Sequence, residues 1–317
     1  MTDIINSSNG LVPSTVAAEA LRDKAVYGVP ISVSSGIDVL LANNSKDYTG
    51  PGTNTYIVGD EDVWIIDPGP DCADHIDVVV GAVAGRKVAG ILVTHSHLDH
   101  SAAARGLQAK TAAPIYGHGG LSPELSADSE EDIDTAFSPD RTLKGGEILG
   151  AGIWRIQALH TPGHFPNHLC YLLPEQNILF SGDHVMGWST TVIAPPLGNL
   201  ADYLHSLEVM KYTGAQRLMP SHGDPVEDAC ARIDEIHAHR LMRQQQVDEL
   251  LSEGQCDPAT IVEVLYQGLS PRLIQAAAGC VKAHMDYSET RTADSGQNFS
   301  GQETGTTQME VQQSAQS

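Results

Sequence analysis

No stretch of this chain approaches the roughly twenty consecutive apolar residues that a membrane-crossing helix requires, so neither an integral helical membrane protein nor a membrane partner is expected. Paired cysteines are missing too. Cys72, Cys170, Cys230, Cys256 and Cys280 are scattered, odd in number and form no Cys-x-x-Cys, which argues against a disulfide framework or a zinc ribbon and for buried structural thiols. Positive charge is scarce. Eighteen Lys and Arg stand against 40 Asp and Glu, a formal charge of −22, and such a field repels nucleic acid unless a local basic patch overrides it. The amino terminus, Met1 to Asn6, lacks the basic start and apolar core of a secretion signal, and the expected location is the cytoplasm.

What is present is enough apolar material for a sizeable core. The 317 residues are 41% hydrophobic, which suits one large domain, or one domain with an appendage. The densest chemistry lies in Thr94-His95-Ser96-His97-Leu98-Asp99-His100, where three imidazoles and a carboxylate fall within six residues, directly after the apolar run Ile91-Leu92-Val93. If that run is a buried strand, the polar cluster begins where the strand leaves the sheet, and the departing backbone can wrap these side chains around a point. Imidazole suits zinc, iron and similar ions, and a carboxylate adds a hard, negative oxygen. A solvated His-rich turn is the alternative, and an internal His-x-His-x-Asp-His placed after a strand makes it the weaker one.

Hydrophobic periodicity places strands at Ile31 to Leu41, Asn54 to Val58 and Val63 to Asp67, with a hairpin turn at residues 59–62. A short helix at Ala17 to Arg22 and a longer one at Asp71 to about Ala84 precede the motif. A helix from Ser101 to Lys110 and a short strand at Pro114 to Tyr116 follow it. Residues 121–140 carry Glu124, Asp128, Glu130, Glu131, Asp132, Asp134 and Asp140, and read as an acidic, solvated surface loop. Strands return at Ile153 to Leu159, His168 to Leu173, Asn177 to Ser181 and Arg217 to Met219, with a helix at Asp202 to Tyr212 between the last two. A long helix from Ala229 to Glu253 is stopped by Gly254. Two further helices start at Asp257-Pro258 and at Ser270-Pro271, the second reaching about Met285. From Asp286 onward Gln, Ser, Thr and Gly dominate, the composition of a disordered tail. The expected division is therefore a catalytic domain at 1–228, a helical appendage at 229–285 and a polar tail at 286–317.

A site with two metals needs more than four ligands, and three further candidates sit at other strand ends. His164 follows Ile153 to Leu159 in Thr-Pro-Gly-His, Asp183 follows Asn177 to Phe180 in Ser-Gly-Asp, and His222 follows Arg217 to Met219 in Pro-Ser-His-Gly. Each is beside a Gly or Pro that permits a sharp exit from a sheet. His160 and His168 are balanced between orienting a ligand and simple packing. His184 is expected to point away from the site, while His118, His205, His237, His239 and His284 read as surface or helix residues. Trp188, Pro195 and Pro196 fall in the loop after Asp183, where an aromatic can face a substrate or anchor the loop.

With these motifs in order, the chain resembles the metallo-β-lactamase fold superfamily from about Gly52 to Asp224, including Gly52-Thr-Asn-Thr-Tyr56 and Ile66-Asp-Pro-Gly69. The resemblance implies an α/β fold of the αββα kind, two sheets face to face with helices outside and metals held in loops at one edge. By position it implies His95, His97 and His164 on a first metal, Asp99, His100 and His222 on a second, and Asp183 bridging. Zinc is the first choice, with manganese or ferrous iron as alternatives. An acid at Asp183 resembles glyoxalase II and RNase Z relatives rather than true zinc β-lactamases, and Ser221 stands where relatives usually have Gly.

The expected activity is hydrolysis. A water or hydroxide shared by two divalent ions loses its proton near neutral pH and attacks an ester-, thioester-, amide- or phosphodiester-type bond, with Asp99 moving the proton. The Ser-Gly-Asp-His-Val-Met-Gly-Trp segment and the helical end look most like the β-lactamase-like protein 2 group, which implies a small winged-helix-like appendage, although no wing strands are evident. From Ala201 to Met285 there are 12 acidic and 7 basic residues, so the appendage supplies no positive surface for RNA. Arg232, Arg240 and Arg243 read as helix-surface charge. A small-molecule substrate is expected. A glyoxalase II-like thioesterase, an RNase Z-like endoribonuclease, a mononuclear iron oxygenase of the persulfide dioxygenase type and a non-catalytic binding protein remain alternatives. The helical end is compatible with a homodimer surface or with a roof over the site.

Overall fold

The computed structural model describes residues 26–122, 125, 132–269 and 271–299. Its strands build two sheets. The first has seven strands in the order β1 (Ile31–Ser34), β2 (Ile37–Leu41), β3 (Asn54–Gly59), β4 (Asp62–Ile66), β5 (Lys87–Leu92), β6 (Ile115–Gly117) and β7 (Arg141–Thr142). The second has the order β12 (Arg217–Pro220), β11 (Ile178–Gly182), β10 (Leu169–Leu173), β9 (Trp154–His160) and β8 (Ile148–Ala151). Neighbours are antiparallel from β1 to β4 and parallel from β4 to β7, while β11 and β12 form the parallel pair of the second sheet.

Side-chain alternation explains the layering. On β3 and β4, Tyr56, Val58, Trp64 and Ile66 point into the space between the sheets, where they meet Trp154, Ile156, Leu169, Tyr171, Phe180 and Met219. Ile57, Val63 and Ile65 point the other way, onto α1 (Ala73–Ala82) and α3 (Ala104–Thr111), through Ile76, Val79 and Leu107. The outer face of the second sheet packs Cys170, Leu172, Leu179 and Leu218 against α4 (Leu200–Tyr212) and the start of α5 (Ala229–Ser252). Strands covered on both faces read as nearly unbroken apolar runs, which is why β3, β4, β10 and β11 stood out in the sequence. A further cluster, with Val247, Ile261, Val262, Tyr266 and Val281, joins α5 to α6 (Pro258–Leu265) and α7 (Pro271–Phe299). This is the expected αββα sandwich with C-terminal helices, and among the described residues no strand follows β12 to make a wing.

Several local expectations change. Ile31 to Leu41 is two strands, because Gly36 at φ +67° turns the chain into a hairpin that pairs Ile31 with Val39. The helix expected from Ser101 is broken into α2 (Leu98–Ser101), which starts inside the His motif, and α3. β8 was not foreseen; it pairs with β9 through a turn at Gly152. The acidic stretch is not wholly solvated: Asp134 N donates to Ser96 O, Leu98 N donates to Asp132 O, and Ser101 Oγ donates to Asp134 Oδ2, so residues 132–134 brace the motif. Glu124, Asp128, Glu130 and Glu131 lie outside the described residues, as does the stretch Ala17 to Arg22. α7 does not stop near Met285 but continues to Phe299, 14 residues into the stretch expected to be a disordered tail. Ser288 Oγ on α7 is bonded to Gln244 Nε2 of α5, and Arg291 pairs with Asp248 at 3.2 Å, contacts that composition does not reveal. Residues 300–317 lie outside the described residues.

Candidate metal centre

The ends of β5, β9, β11 and β12 open onto one edge of the sandwich, and each exit delivers part of one side-chain cluster. His95 to His100 leave β5 and enter α2, whose first turn carries Asp99. Gly182 ends β11 at φ +54°, where an added Cβ would lie 2.4 Å from His168 Nε2. Glycine therefore lets the chain turn tightly enough to present Asp183. Gly163, before His164, lies against the Tyr203 backbone at φ +136°, with the same consequence.

All seven residues singled out in the sequence come together. Single atoms of His95, His97 and His164 lie within 4.8 Å of one another, as do those of His95, His100 and Asp183, and those of Asp99, His100 and His222. Asp183 Oδ2 is central: it is 3.4 Å from His100 Nε2, 3.3 Å from His222 Nε2 and 4.0 Å from His164 Nε2. Asp99 Oδ2 is 3.5 Å from His100 Nε2 and 3.3 Å from His222 Nε2.

Oxygen atoms behind the rings decide which nitrogens face the cluster. His100 Nδ1 meets Asp67 Oδ2 at 2.9 Å, His164 Nδ1 meets Val192 O at 2.7 Å, and His222 Nδ1 meets Gly52 O at 3.2 Å. Each oxygen accepts the Nδ1–H and leaves Nε2 directed inward, the orientation a metal ligand needs once any Nε2 proton is displaced. Asp183 Oδ1 is buried and has no hydrogen-bond partner, an arrangement that proteins avoid unless an ion or water completes it. Imidazole nitrogens and carboxylate oxygens at this density suit a divalent cation, so the residues present fit the group.

Electrostatics agree. Burial works against charge on His100 and His222, but Asp99 and Asp183 beside both overcome it, raising His100 well above the ordinary histidine range and pushing His222 up to about 10. Burial likewise opposes charge on Asp99 and Asp183, yet His100 and His222 hold both carboxyls below the usual range. In the metal-free chain these two imidazoliums offset the buried carboxylates. Because His222 titrates higher folded than its ordinary 6.5, its charge stabilises the metal-free fold fully below about 6.5, and that contribution is lost as pH rises through about 10. Urea unfolding of chelator-treated protein should therefore show a stability loss toward pH 10 that is smaller in His222→Gln, where only the raised His100 contributes. Metal uptake runs the other way: it must displace these protons, so apparent affinity should rise with pH. Calorimetry in buffers of different ionisation enthalpy should register proton release on binding.

The remaining histidines resolve. His168 is fully buried, which lowers it well below the usual range; its Nε2 accepts from Asp183 N and its Nδ1 is bonded to Thr161 Oγ1. It orients the Asp183 turn. His160 only packs, stacked on His118 with Nε2 on Pro166 O. His184 points away, stacked on Tyr203. His284 is not a surface residue but is buried against Gln244. Trp188 anchors its loop, buried with Met186 and lying against Gly50 and Gly223.

Four supports carried no assigned role in the sequence. Asp67, fully buried at φ +48°, accepts from Thr94 N, Thr94 Oγ1, His100 Nδ1 and Ser221 Oγ, the last at 2.6 Å. Ser221, the residue that departs from the family pattern, thus ties the His222 loop to Asp67. Asn54 Nδ2 donates to Pro220 O and Gly223 O, and Tyr56 Oη donates to Pro220 O. The Ile-Asp-Pro-Gly and Gly-Thr-Asn-Thr-Tyr motifs contained Asp67, Asn54 and Tyr56, but their partners lie far along the chain. Arg240, read as helix-surface charge, is instead buried, 3% exposed, with Nη2 on Thr191 O; Arg243 is 1% exposed.

A sandwich of two mixed sheets with a His and Asp cluster at one edge defines a metallohydrolase-type fold, and sequence comparison gives the family. The model of the metallo-beta-lactamase superfamily matches residues 48–222, a span that contains all seven cluster residues, and the chain belongs to that superfamily. It is 33% identical over 224 residues to an atrochrysone carboxyl ACP thioesterase of Aspergillus chevalieri, a match covering 68% of this chain and 65% of that protein. It is 29% identical to a beta-lactamase-like protein 2 homolog of Caenorhabditis elegans, covering 70% of this chain and 72% of the relative. The chain spans just under two thirds of the thioesterase's own length. Among solved structures, a beta-lactamase domain protein from Burkholderia ambifaria superposes with a TM-score of 0.69 at 22% identity, over 82% of this chain and 87% of that one. Among the described residues no helix is long and apolar enough to cross a membrane.

Proposed function

We propose that this chain is a metal-dependent hydrolase with two divalent ions, zinc first, acting on a small-molecule acyl substrate, a thioester before other esters, amides or phosphodiesters. The observation that carries the reading is the position of Asp183 Oδ2, within 4.0 Å of Nε2 atoms from both histidine groups. It supports His95, His97 and His164 on one ion, Asp99, His100 and His222 on the other, and Asp183 between them. The thioesterase among the relatives favours the acyl class. The charge of −22 speaks against RNA.

When bound, such ions would polarise the scissile carbonyl and lower the pKa of water near neutrality. The chain's own residues do the rest. Asp67, Val192 and Gly52 occupy the Nδ1 atoms of His100, His164 and His222 and aim the Nε2 atoms inward, where an ion would take the place of any proton they carry. His168 holds the Asp183 backbone. Asp99, whose side chain is 25% exposed, reaches solvent while Thr53 Oγ1 donates to its Oδ2 at 3.2 Å, so this carboxylate can take a proton from water and return it to a leaving group.

Metal analysis with a panel of thioester, lactone, phosphodiester, RNA and β-lactam substrates on zinc-loaded protein tests the reading. Two zinc ions per chain and thioester turnover are expected. A single ferrous ion would favour oxygen chemistry, and zinc-loaded protein inert toward every substrate would remove the hydrolase assignment.

A further inference from the structure

The loop from Met186 to Ile193 joins Asp183 to the proline segment before α4; Trp188 packs it on Gly50 and Gly223, and the C-terminal helices hold its backbone at several points. Arg232 and Arg240, two turns apart on α5, present guanidinium groups to its carbonyls: Arg232 Nη2 donates to Ser189 O at 2.9 Å and Met186 O at 3.3 Å, and Arg240 Nη2 donates to Thr191 O at 2.5 Å. From α7, Cys280 Sγ accepts from Ile193 N at 3.5 Å. The same loop supplies the two oxygens that meet His164 Nδ1, Val192 O at 2.7 Å and Thr191 Oγ1 at 3.1 Å.

Arg240 sits in an expensive place. It is 3% exposed, forms no ion pair among the described residues, its Nε lacks a hydrogen-bond partner, and its guanidinium lies 5.3 Å from the Tyr203 ring centroid. A buried guanidinium without a carboxylate is a poor way to gain stability, since desolvation is offset only by good hydrogen bonds and the aromatic face. Besides a side-chain hydrogen bond with Tyr203, it donates to the carbonyl of the residue whose hydroxyl touches His164.

We propose that Arg240 is a positioning residue for the metal centre: by clamping Thr191 O it fixes the Thr191-Val192 segment that orients His164, so the C-terminal helices set the affinity of the His95, His97 and His164 group for its ion. The inference rests on the metal centre proposed above. It also gives the appendage a role that neither a dimer surface nor a simple roof requires.

Zinc titration against a competing chelator, on the full chain, tests it. R240A should weaken one zinc-binding step by about 10- to 100-fold, as expected when a group behind a ligand is lost, and should lower kcat more than it raises KM. R240K keeps one donor without the planar fork and should show a smaller loss of at least threefold, about what a point charge gives up there. R232A, which releases Ser189 O and Met186 O but not Thr191 O, should bind zinc within about threefold of the unaltered chain, the scale of a remote change. Wild-type affinity in R240A, whatever its melting temperature, would overturn the proposal, as would a loss in R232A equal to that in R240A. If R240A does not fold, R240K decides: a loss of at least threefold supports the role and an unchanged affinity overturns it. Absence of zinc binding in the unaltered chain would overturn this role together with the metal centre, and so separates the two failures.

Discussion

Asp99→Asn is expected to lower kcat by about 10²- to 10⁴-fold on the proposed thioester class of substrate while KM and zinc content change little, the loss that accompanies removal of a proton-transferring group. Asn keeps the oxygen that Thr53 Oγ1 and the neighbouring imidazoles contact, but it cannot hold the transferred proton. The relevant comparison is steady-state kinetics and elemental analysis on one preparation. A kcat within tenfold of the unaltered enzyme at equal zinc content would remove Asp99 from proton transfer and leave it as a ligand alone.

Asp67→Ala should produce the largest loss of stability, about 3–5 kcal/mol, because it strands a buried imidazole and three further donors at once. Its carboxylate binds Thr94 at the end of β5, His100 inside the motif and Ser221 before His222, so one side chain ties three exits of the sandwich together. Asp67→Asn keeps an acceptor on this network and should lose less. Urea unfolding of both variants without metal measures the difference. A change below about 1 kcal/mol in Asp67→Ala, the size of an ordinary surface substitution, would show that these bonds do not hold the edge together.

The candidate centre was legible to different depths. His95, His97, Asp99 and His100 lie within one turn of chain after an apolar strand, so spacing alone brought them together. His164, Asp183 and His222 could be named because each follows an apolar run and sits beside Gly or Pro, yet their meeting point was an implication of family resemblance until the sheets closed. The supports were less visible. Asp67 meets Thr94 across 27 residues and Ser221 across 154, and no periodicity encodes such a pairing. Arg240 looked like a solvated charge because a helical pattern shows which residues share a face, not what covers that face. The extension of α7 past Met285 has the same origin: its polar residues find Gln244 and Asp248 on a neighbouring helix, and contacts outweigh weak local propensity.

By itself, then, the sequence determined the apolar strands and the imidazoles and carboxylates placed at their ends, while the layered sandwich and the assignment of those groups to metals came as what the family resemblance implies. Only the tertiary structure decided which imidazole nitrogen faces inward, which carboxylate lies at the centre and how the C-terminal helices reach the loop behind His164. The reason is range: alternation and motif spacing act over a few residues, whereas orienting hydrogen bonds join atoms that become neighbours only when the two sheets pack.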